Sequence, residues 1–260
     1  MNFPKKSLGQ NFLVDKNIIK KITDLVKIKN QNIVEIGPGN GALTDEILKK
    51  SPKSLLLIEK DGNLANNLKS KYKKNSIVKI YNTDILKLNL EKICKNNFTV
   101  FGNLPYNISS QILVGFLRFN KWPPKYTNLI FMFQKELGEK IVAKFPSKNY
   151  SRISILFHSR LELIKKFFIS PNCFFPKPKV TSMVLSIHPR KKFYKIKNIK
   201  NLEKITNIMF SNKRKMINKS IIKILNKNVI KMIPELNLNS RPAEIKPEIY
   251  YKINELFERN

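Results

Sequence analysis

The sequence predicts an α/β fold: a mostly parallel sheet with helices on both faces, followed by a small α-helical second domain. Three observations point to it. Through the first two thirds of the 260 residues, short apolar runs alternate with segments whose apolar residues recur at helical spacing. Two further apolar runs flank the Pro-rich stretch Phe174-Phe175-Pro176-Lys177-Pro178. After His188-Pro189-Arg190-Lys191-Lys192 the pattern turns helical and basic.

In chain order, the strands expected are Ile33–Ile36, Leu55–Glu59, Ile77–Tyr81, Phe98–Phe101 and Leu129–Phe133. Between them, Ala42–Lys50, Asn63–Lys73 and Ser109–Phe119 carry helical spacing, and this βαβ repetition implies parallel strands. The runs Ser151–Phe157 and Val180–Ile187 read as late strands that complete a seven-stranded sheet with an antiparallel edge. Leu202–Phe210, Met216–Leu225 and Glu248–Phe257 are the clearest helices beyond it. The boundary is set at residues 1–190 for the sheet domain and 191–260 for the helical one.

A 42% hydrophobic content supports a real core, and the net charge of +32 makes a polyanion the first partner to consider. Only seven of the 50 basic residues are Arg, and the heavy use of Lys, Asn and Ile also fits a compositional bias of the source genome. Cys94 and Cys173 lie far apart without a CxxC pattern, and His158 and His188 are isolated, so neither a disulfide framework nor a zinc site is indicated. No apolar run approaches bilayer-spanning length. Met1-Asn2-Phe3-Pro4-Lys5-Lys6 lacks the apolar region of a signal peptide, so a cytoplasmic location without a membrane is expected.

Chemistry gathers at the expected strand ends. Glu35-Ile36-Gly37-Pro38-Gly39-Asn40-Gly41 follows the first strand and opens a helix, where glycines let the backbone turn sharply against a ligand. Gly37-x-Gly39-x-x-Ala42 also satisfies a relaxed dinucleotide fingerprint. Glu59 ends the second strand, where a carboxylate can accept from both hydroxyls of a ribose, and Asp84 sits just past the third, placed to accept from an adenine amino group. Asn103-Leu104-Pro105-Tyr106 follows the fourth. It offers an amide oxygen, a main-chain carbonyl and a flat aromatic face, a set suited to a planar base with an exocyclic amino group. A nicotinamide dinucleotide would leave Asn103–Tyr106 without a role.

Glu35, Gly37, Gly39, Gly41, Glu59, Asp84 and Asn103 resemble the run of positions in Rossmann-like class I S-adenosylmethionine-dependent methyltransferases. Over nearly its whole length the chain closely resembles the ribosomal RNA adenine dimethyltransferases of the KsgA/Dim1 family. Gly9-Gln10-Asn11-Phe12-Leu13 is similar to that family's opening cofactor motif, Gly102-Asn103-Leu104-Pro105-Tyr106-Asn107-Ile108-Ser109 to its catalytic motif, and Phe174–Val180 to the segment that supplies a second aromatic wall. The resemblance implies cofactor contacts from Asn11, Leu13, Gly37, Glu59, Asp84 and Asn103, and catalysis by Asn103, Leu104, Pro105 and Tyr106. It implies base stacking on Tyr106 and Phe174, and RNA contact through Lys213, Arg214 and Lys215. Three positions depart from the family pattern: Gln111 where Pro is usual, Ser151 where Gly is usual, and Met216 where Thr is common.

The implied reaction is transfer of methyl groups from S-adenosylmethionine to the N6 amino groups of two adjacent adenines in the 3′-terminal hairpin of small-subunit RNA. The implied partner is a precursor of the small (30S) ribosomal subunit, met by a monomeric enzyme. Nothing in this chemistry calls for a His, a Cys or a metal. The related Erm group, which methylates a large-subunit adenine, shares the layout. Leu104 in place of the Ile typical there, Met132-Phe133-Gln134-Lys135-Glu136 with Ser147-Lys148-Asn149-Tyr150-Ser151-Arg152 downstream, and Phe210-Ser211-Asn212-Lys213-Arg214-Lys215-Met216 followed by Arg241-Pro242-Ala243-Glu244 resemble the small-subunit enzymes and favour them. A non-catalytic assembly factor that merely keeps the fold remains the other class.

Overall fold

The computed structural model describes residues 10–194 and 196–259. Gly9 and the N-terminal stretch read for a signal peptide lie outside the described residues. Strand β1 (Phe12–Leu13) and helix α1 (Lys16–Thr23) precede β2 (Asn32–Ile36), α2 (Ala42–Lys49), β3 (Ser54–Glu59), α3 (Gly62–Lys71) and β4 (Val78–Asn82). Then come α4 (Leu90–Ile93), β5 (Phe98–Asn103), α5 (Ser109–Leu117), β6 (Tyr126–Gln134), α6 (Lys135–Ile141) and α7 (Arg152–Arg160). The rest is β7 (Leu161–Ile169), β8 (Phe174–Phe175), β9 (Ser182–Pro189), α8 (Ile199–Phe210), α9 (Asn218–Ile221), α10 (Lys227–Ile230) and α11 (Pro247–Phe257).

Seven strands form one sheet in the order β4-β3-β2-β5-β6-β9-β7. The first five of that order run parallel and β9 is antiparallel to β6, so the mostly parallel seven-stranded sheet expected from the sequence is present. Strands β2 and β5 are buried almost throughout, as central parallel strands covered on both faces must be. On one face, Ile19 and Ile22 of α1, Leu43 and Ile47 of α2 and Leu68 of α3 pack onto Ile33, Leu57 and Phe101. Two helices are fixed by aspartate caps: Asp15 Oδ1 accepts from the Asn17 and Ile18 amides, and Asp61 Oδ1 from those of Asn63 and Leu64.

One expected strand is a helix. Ser151–Phe157 forms the body of α7 because Ser151 caps it: its amide donates to the Ser154 hydroxyl at 3.0 Å, and that hydroxyl donates to the Lys140 carbonyl at 2.6 Å. The missing strand is Leu161–Ile169, directly after it. Met216–Leu225 is also less regular than its spacing predicts, with α9 covering only Asn218–Ile221 before Asn226 caps α10 through the Val229 amide.

The chain divides into two compact units. The first runs to Gly138 and resumes over Leu163–Pro189; the second comprises Glu139–Glu162 and the chain from Arg190 onward. The sequence boundary at 190/191 therefore leaves Glu139–Glu162 on the other side. Within the second unit, α7 is held to the C-terminal helices by the Tyr251 hydroxyl, which donates to the Ile155 carbonyl at 2.9 Å, while Tyr150 donates to the Ile245 carbonyl at 3.2 Å. Among the described residues no helix is long and apolar enough to cross a membrane.

Candidate active site

From β2 the chain winds outward through β3 to β4, then returns to place β5 on the other side of β2. Such a reversal opens a crevice beyond the carboxyl ends of the two central strands. There Ile36 lies opposite Gly102, so the glycine turn after β2 and the Asn103 loop after β5 emerge side by side. A Cβ on Gly37 would stand 3.4 Å from the Asn103 carbonyl oxygen.

The turn needs its glycines. Gly37, Gly39 and Gly41 have φ of 69°, 58° and 81°, in the left-handed region where a side chain is strained. At Gly39 a Cβ would also meet the Phe12 ring at 2.8 Å. That tight turn aims the Gly39 amide at Glu59 Oε2, 3.2 Å away, while the Asp61 amide donates to Oε1 at 2.8 Å. Glu59 is 6% exposed, and burial raises its carboxyl above the ordinary range, partly offset by the Asp61 and Gly39 amides. Each carboxylate oxygen keeps a further acceptor position, which is what two adjacent ribose hydroxyls require. The glycine cradle and this carboxylate fit the nucleoside part of S-adenosylmethionine.

Asn103 is oriented by its neighbour across the crevice. Its Nδ2 donates to the Asn11 carbonyl at 2.8 Å, which turns Oδ1 the other way. Among the described residues neither that Oδ1 nor the Leu104 carbonyl receives a hydrogen bond. The Leu104 side chain is buried over Gly102, where a Cβ would come within 2.6 Å of it, so the backbone of the loop is pinned from below. Tyr106 is half-buried and its hydroxyl shares a 2.7 Å hydrogen bond with Ser182 at the start of β9; burial raises its pKa. Asn11, Gly37, Gly39, Glu59 and the whole Asn103–Tyr106 segment line one cleft.

Other expected site residues stand elsewhere. Asp84 is not among the residues lining the cleft: Oδ1 accepts from the Leu86 amide at 3.0 Å and Oδ2 pairs with Lys60 Nζ at 2.8 Å. The Lys60 hydrogen bond is the main cause of its lowered pKa, and Lys60 itself lines the cleft. Leu13 and Phe174, paired across β1 and β8, both turn into the apolar core, and Phe174 is only 4% exposed. Burial there removes Phe174 from the open wall expected of it. Lys213, Arg214 and Lys215 are exposed between α8 and α9 in the second unit. Sequence reasoning passed over Phe12 and Lys60. Strand alternation, with Leu13 inward and Phe12 outward, was the available signal for the first.

Glu35 lies beneath the turn, 1% exposed, with the Thr44 hydroxyl donating to Oε2 at 2.7 Å. Burial pushes its carboxyl from an ordinary 4.5 up to about 8. Between those two values the unfolded chain releases a proton that the folded chain keeps, so this group lowers stability as pH rises through the window. Glu35→Gln preserves an acceptor for Thr44 and abolishes the titration. Thermal melts should show the variant gaining on the parent from acid toward pH 8, and parallel melting profiles would refute the assignment.

Comparison with known proteins adds the following. The ribosomal RNA adenine dimethylase family matches residues 1–259. The chain is 43% identical to the ribosomal RNA small subunit methyltransferase A of Pelagibacter ubique (strain HTCC1062), over 98% of this chain and 97% of that one. It is 39% identical to the protein of the same name from Wolbachia sp. subsp. Drosophila simulans (strain wRi), over 94% of this chain and 90% of the relative. Among solved structures, a dimethyladenosine transferase from Plasmodium falciparum superposes with a TM-score of 0.78 at 23% identity, covering 95% and 98% of the two chains. The 23S rRNA methyltransferase ErmE superposes with 0.67 at 21%, covering 95% and 99%. Both likenesses, under 25% identical, bear on the fold alone.

Proposed function

The chain belongs to the ribosomal RNA adenine dimethylase family, and we propose that it dimethylates the N6 amino groups of two adjacent adenines in the 3′-terminal hairpin of small-subunit (16S) ribosomal RNA. The observation that carries this reading is Asn103, whose amide nitrogen is spent on the Asn11 carbonyl and whose oxygen is left to accept beside the Tyr106 ring.

The N6 lone pair of adenine is delocalised into the ring and is a poor nucleophile. Asn103 Oδ1 and the Leu104 carbonyl accept the two N–H groups and favour a pyramidal nitrogen with its lone pair aimed into the crevice. Their contribution is orientation and preset electrostatics, without a strong base. The glycine turn, Glu59 and Asn11 would hold S-adenosylmethionine, whose sulfonium would supply an electrophilic methyl group. Asp84 would join these contacts once Lys60 shares it. As the N6–methyl bond forms, the sulfonium–methyl bond would break to leave a neutral thioether, and the cationic N6 would release one proton to water. The substrate has then lost one N–H, and a neutral amide acceptor with a stacking surface still suits it.

The target must leave its stack to enter. Tyr106 receives one face, and Ser182 holds that ring in place. Exposed Lys213, Arg214 and Lys215 are proposed to hold phosphates, contacts that position RNA without reading its sequence. Recognition then rests on RNA shape and an accessible loop. The enzyme is taken to work as a monomer in the cytoplasm on the small-subunit precursor.

Primer extension on both ribosomal RNAs after incubation with the protein and S-adenosylmethionine tests the assignment. Stops are expected at the paired adenines of the small-subunit 3′ hairpin. A stop in large-subunit RNA instead would transfer the chain to an Erm-type activity.

A further inference from the structure

The residue beside the buried Phe174 is the most exposed of the described large hydrophobic residues. Phe175 is 62% exposed. In the antiparallel β1–β8 pair, Phe12 stands opposite Phe175 and Leu13 opposite Phe174. Residues directly opposite each other share a face of the ribbon and the next pair takes the other face. Leu13 and Phe174 occupy the core face. Phe12 and Phe175 therefore share the opposite face, and Phe12 is the one that lines the cleft and covers Gly39. The same strand is tied to the catalytic loop one residue earlier, through the Asn103 hydrogen bond to the Asn11 carbonyl.

We propose that Phe175 is a positioning residue that stacks the nucleobase flanking the flipped adenine at the lip of the crevice. Its exposure separates it from Tyr106, which is half-buried inside and suits the adenine that enters. The residues that follow fit the same occupant: Lys177 and Lys179 are both exposed and bracket the buried Pro178, placing ammonium groups where adjoining phosphates would run. One exposed ring followed by two exposed lysines combines the stacking surface and the backbone-tracking charge that hold single-stranded nucleic acid. With two adjacent adenines as substrate, such a platform would hold one while the other is in the pocket. The idea rests on the rRNA reading above but concerns RNA placement and not methyl transfer.

The test uses the full chain and a small-subunit 3′-hairpin RNA with 2-aminopurine, whose emission responds to stacking, at the position next to the target adenine. Binding should change that emission in the parent and in Phe175→Trp. Phe175→Ala should abolish the change and weaken RNA binding by about 5- to 160-fold, the range of one lost base–aromatic contact. S-adenosylmethionine affinity measured by titration calorimetry should stay as in the parent. An unaltered emission change and RNA affinity in Phe175→Ala would overturn the proposal. So would an equal loss of S-adenosylmethionine affinity, which would make the ring part of the cofactor wall. If the parent methylates no small-subunit adenine, the functional reading fails on that count, and the emission readout still decides the stacking.

Discussion

Replacing Asn103 by Ala is expected to lower methyl transfer by at least about 10²–10³-fold, the cost seen when one preset polar group is removed from a transition-state site. Binding of S-adenosylmethionine should change only modestly, because the glycine turn and Glu59 are untouched. The variant loses two things at once: the acceptor for the adenine N–H and the donor that holds the Asn11 carbonyl at 2.8 Å. Asn103→Asp separates them. Aspartate keeps an acceptor but sets a carboxylate against the Asn11 carbonyl, so its loop should be repelled and its activity should fall with S-adenosylmethionine affinity. Single-turnover kinetics beside calorimetry distinguish the two patterns. Unchanged turnover in Asn103→Ala would remove this residue from the chemistry.

The second large effect is expected at Glu59. Both carboxylate oxygens accept main-chain amides, from Gly39 and Asp61. Glu59→Gln is nearly isosteric, yet its NH2 must face one of those amides, donor against donor, in a buried site. A buried donor left without an acceptor costs about 1–3 kcal/mol. The affinity for S-adenosylmethionine should fall by about 10- to 160-fold, because the amide nitrogen cannot accept a ribose hydroxyl and a hydrogen bond to a charged acceptor contributes about 1.5–3 kcal/mol. The melting temperature should fall as well, since the same amides anchor the glycine turn and the start of α3. Calorimetry together with a thermal melt checks both, and retention of parental affinity would mean that the ribose is held elsewhere.

Much of this site could be read from the sequence because its residues are bound to strand ends. Gly37 follows, and Glu59 and Asn103 end, a run of mostly buried and largely apolar residues, and continuous apolar runs are the clearest signal a parallel sheet leaves. The sheet was legible for the same reason, whereas the resemblance to the dimethylase family was carried by the motifs at Gly9–Leu13, Gly102–Ser109 and Phe174–Val180. What failed were positions decided by side-chain pairing. Ser151–Phe157 has the composition of a strand, but the Ser151–Ser154 cap makes it a helix and passes the strand to Leu161–Ile169. Serine at 151, a departure from the family pattern, is thus a capping residue here. Asp84 has the right place in the chain, and only the structure shows Lys60 upon it. Phe174 and Phe175 are indistinguishable as letters. The two-residue ribbon with Phe12–Leu13 sends one inward and the other out, and those partners lie too far away in the chain for local pattern to reveal.

The reversal of strand order between β2 and β5 also bears on how the protein reaches its working state. The glycine turn and the Asn103 loop are separated in the chain by β3, β4 and their helices, with β3 and β4 on the far side of β2. Pairings of such long sequence separation form late and slowly. Until β5 is in register, with Ile36 against Gly102, neither a cofactor crevice nor a base pocket exists. On the proposed reading, S-adenosylmethionine would engage only chains whose central sheet is complete, and by mass action it would add stability to those alone. Cofactor supply thus becomes a brake on unfolding as well as a source of methyl groups.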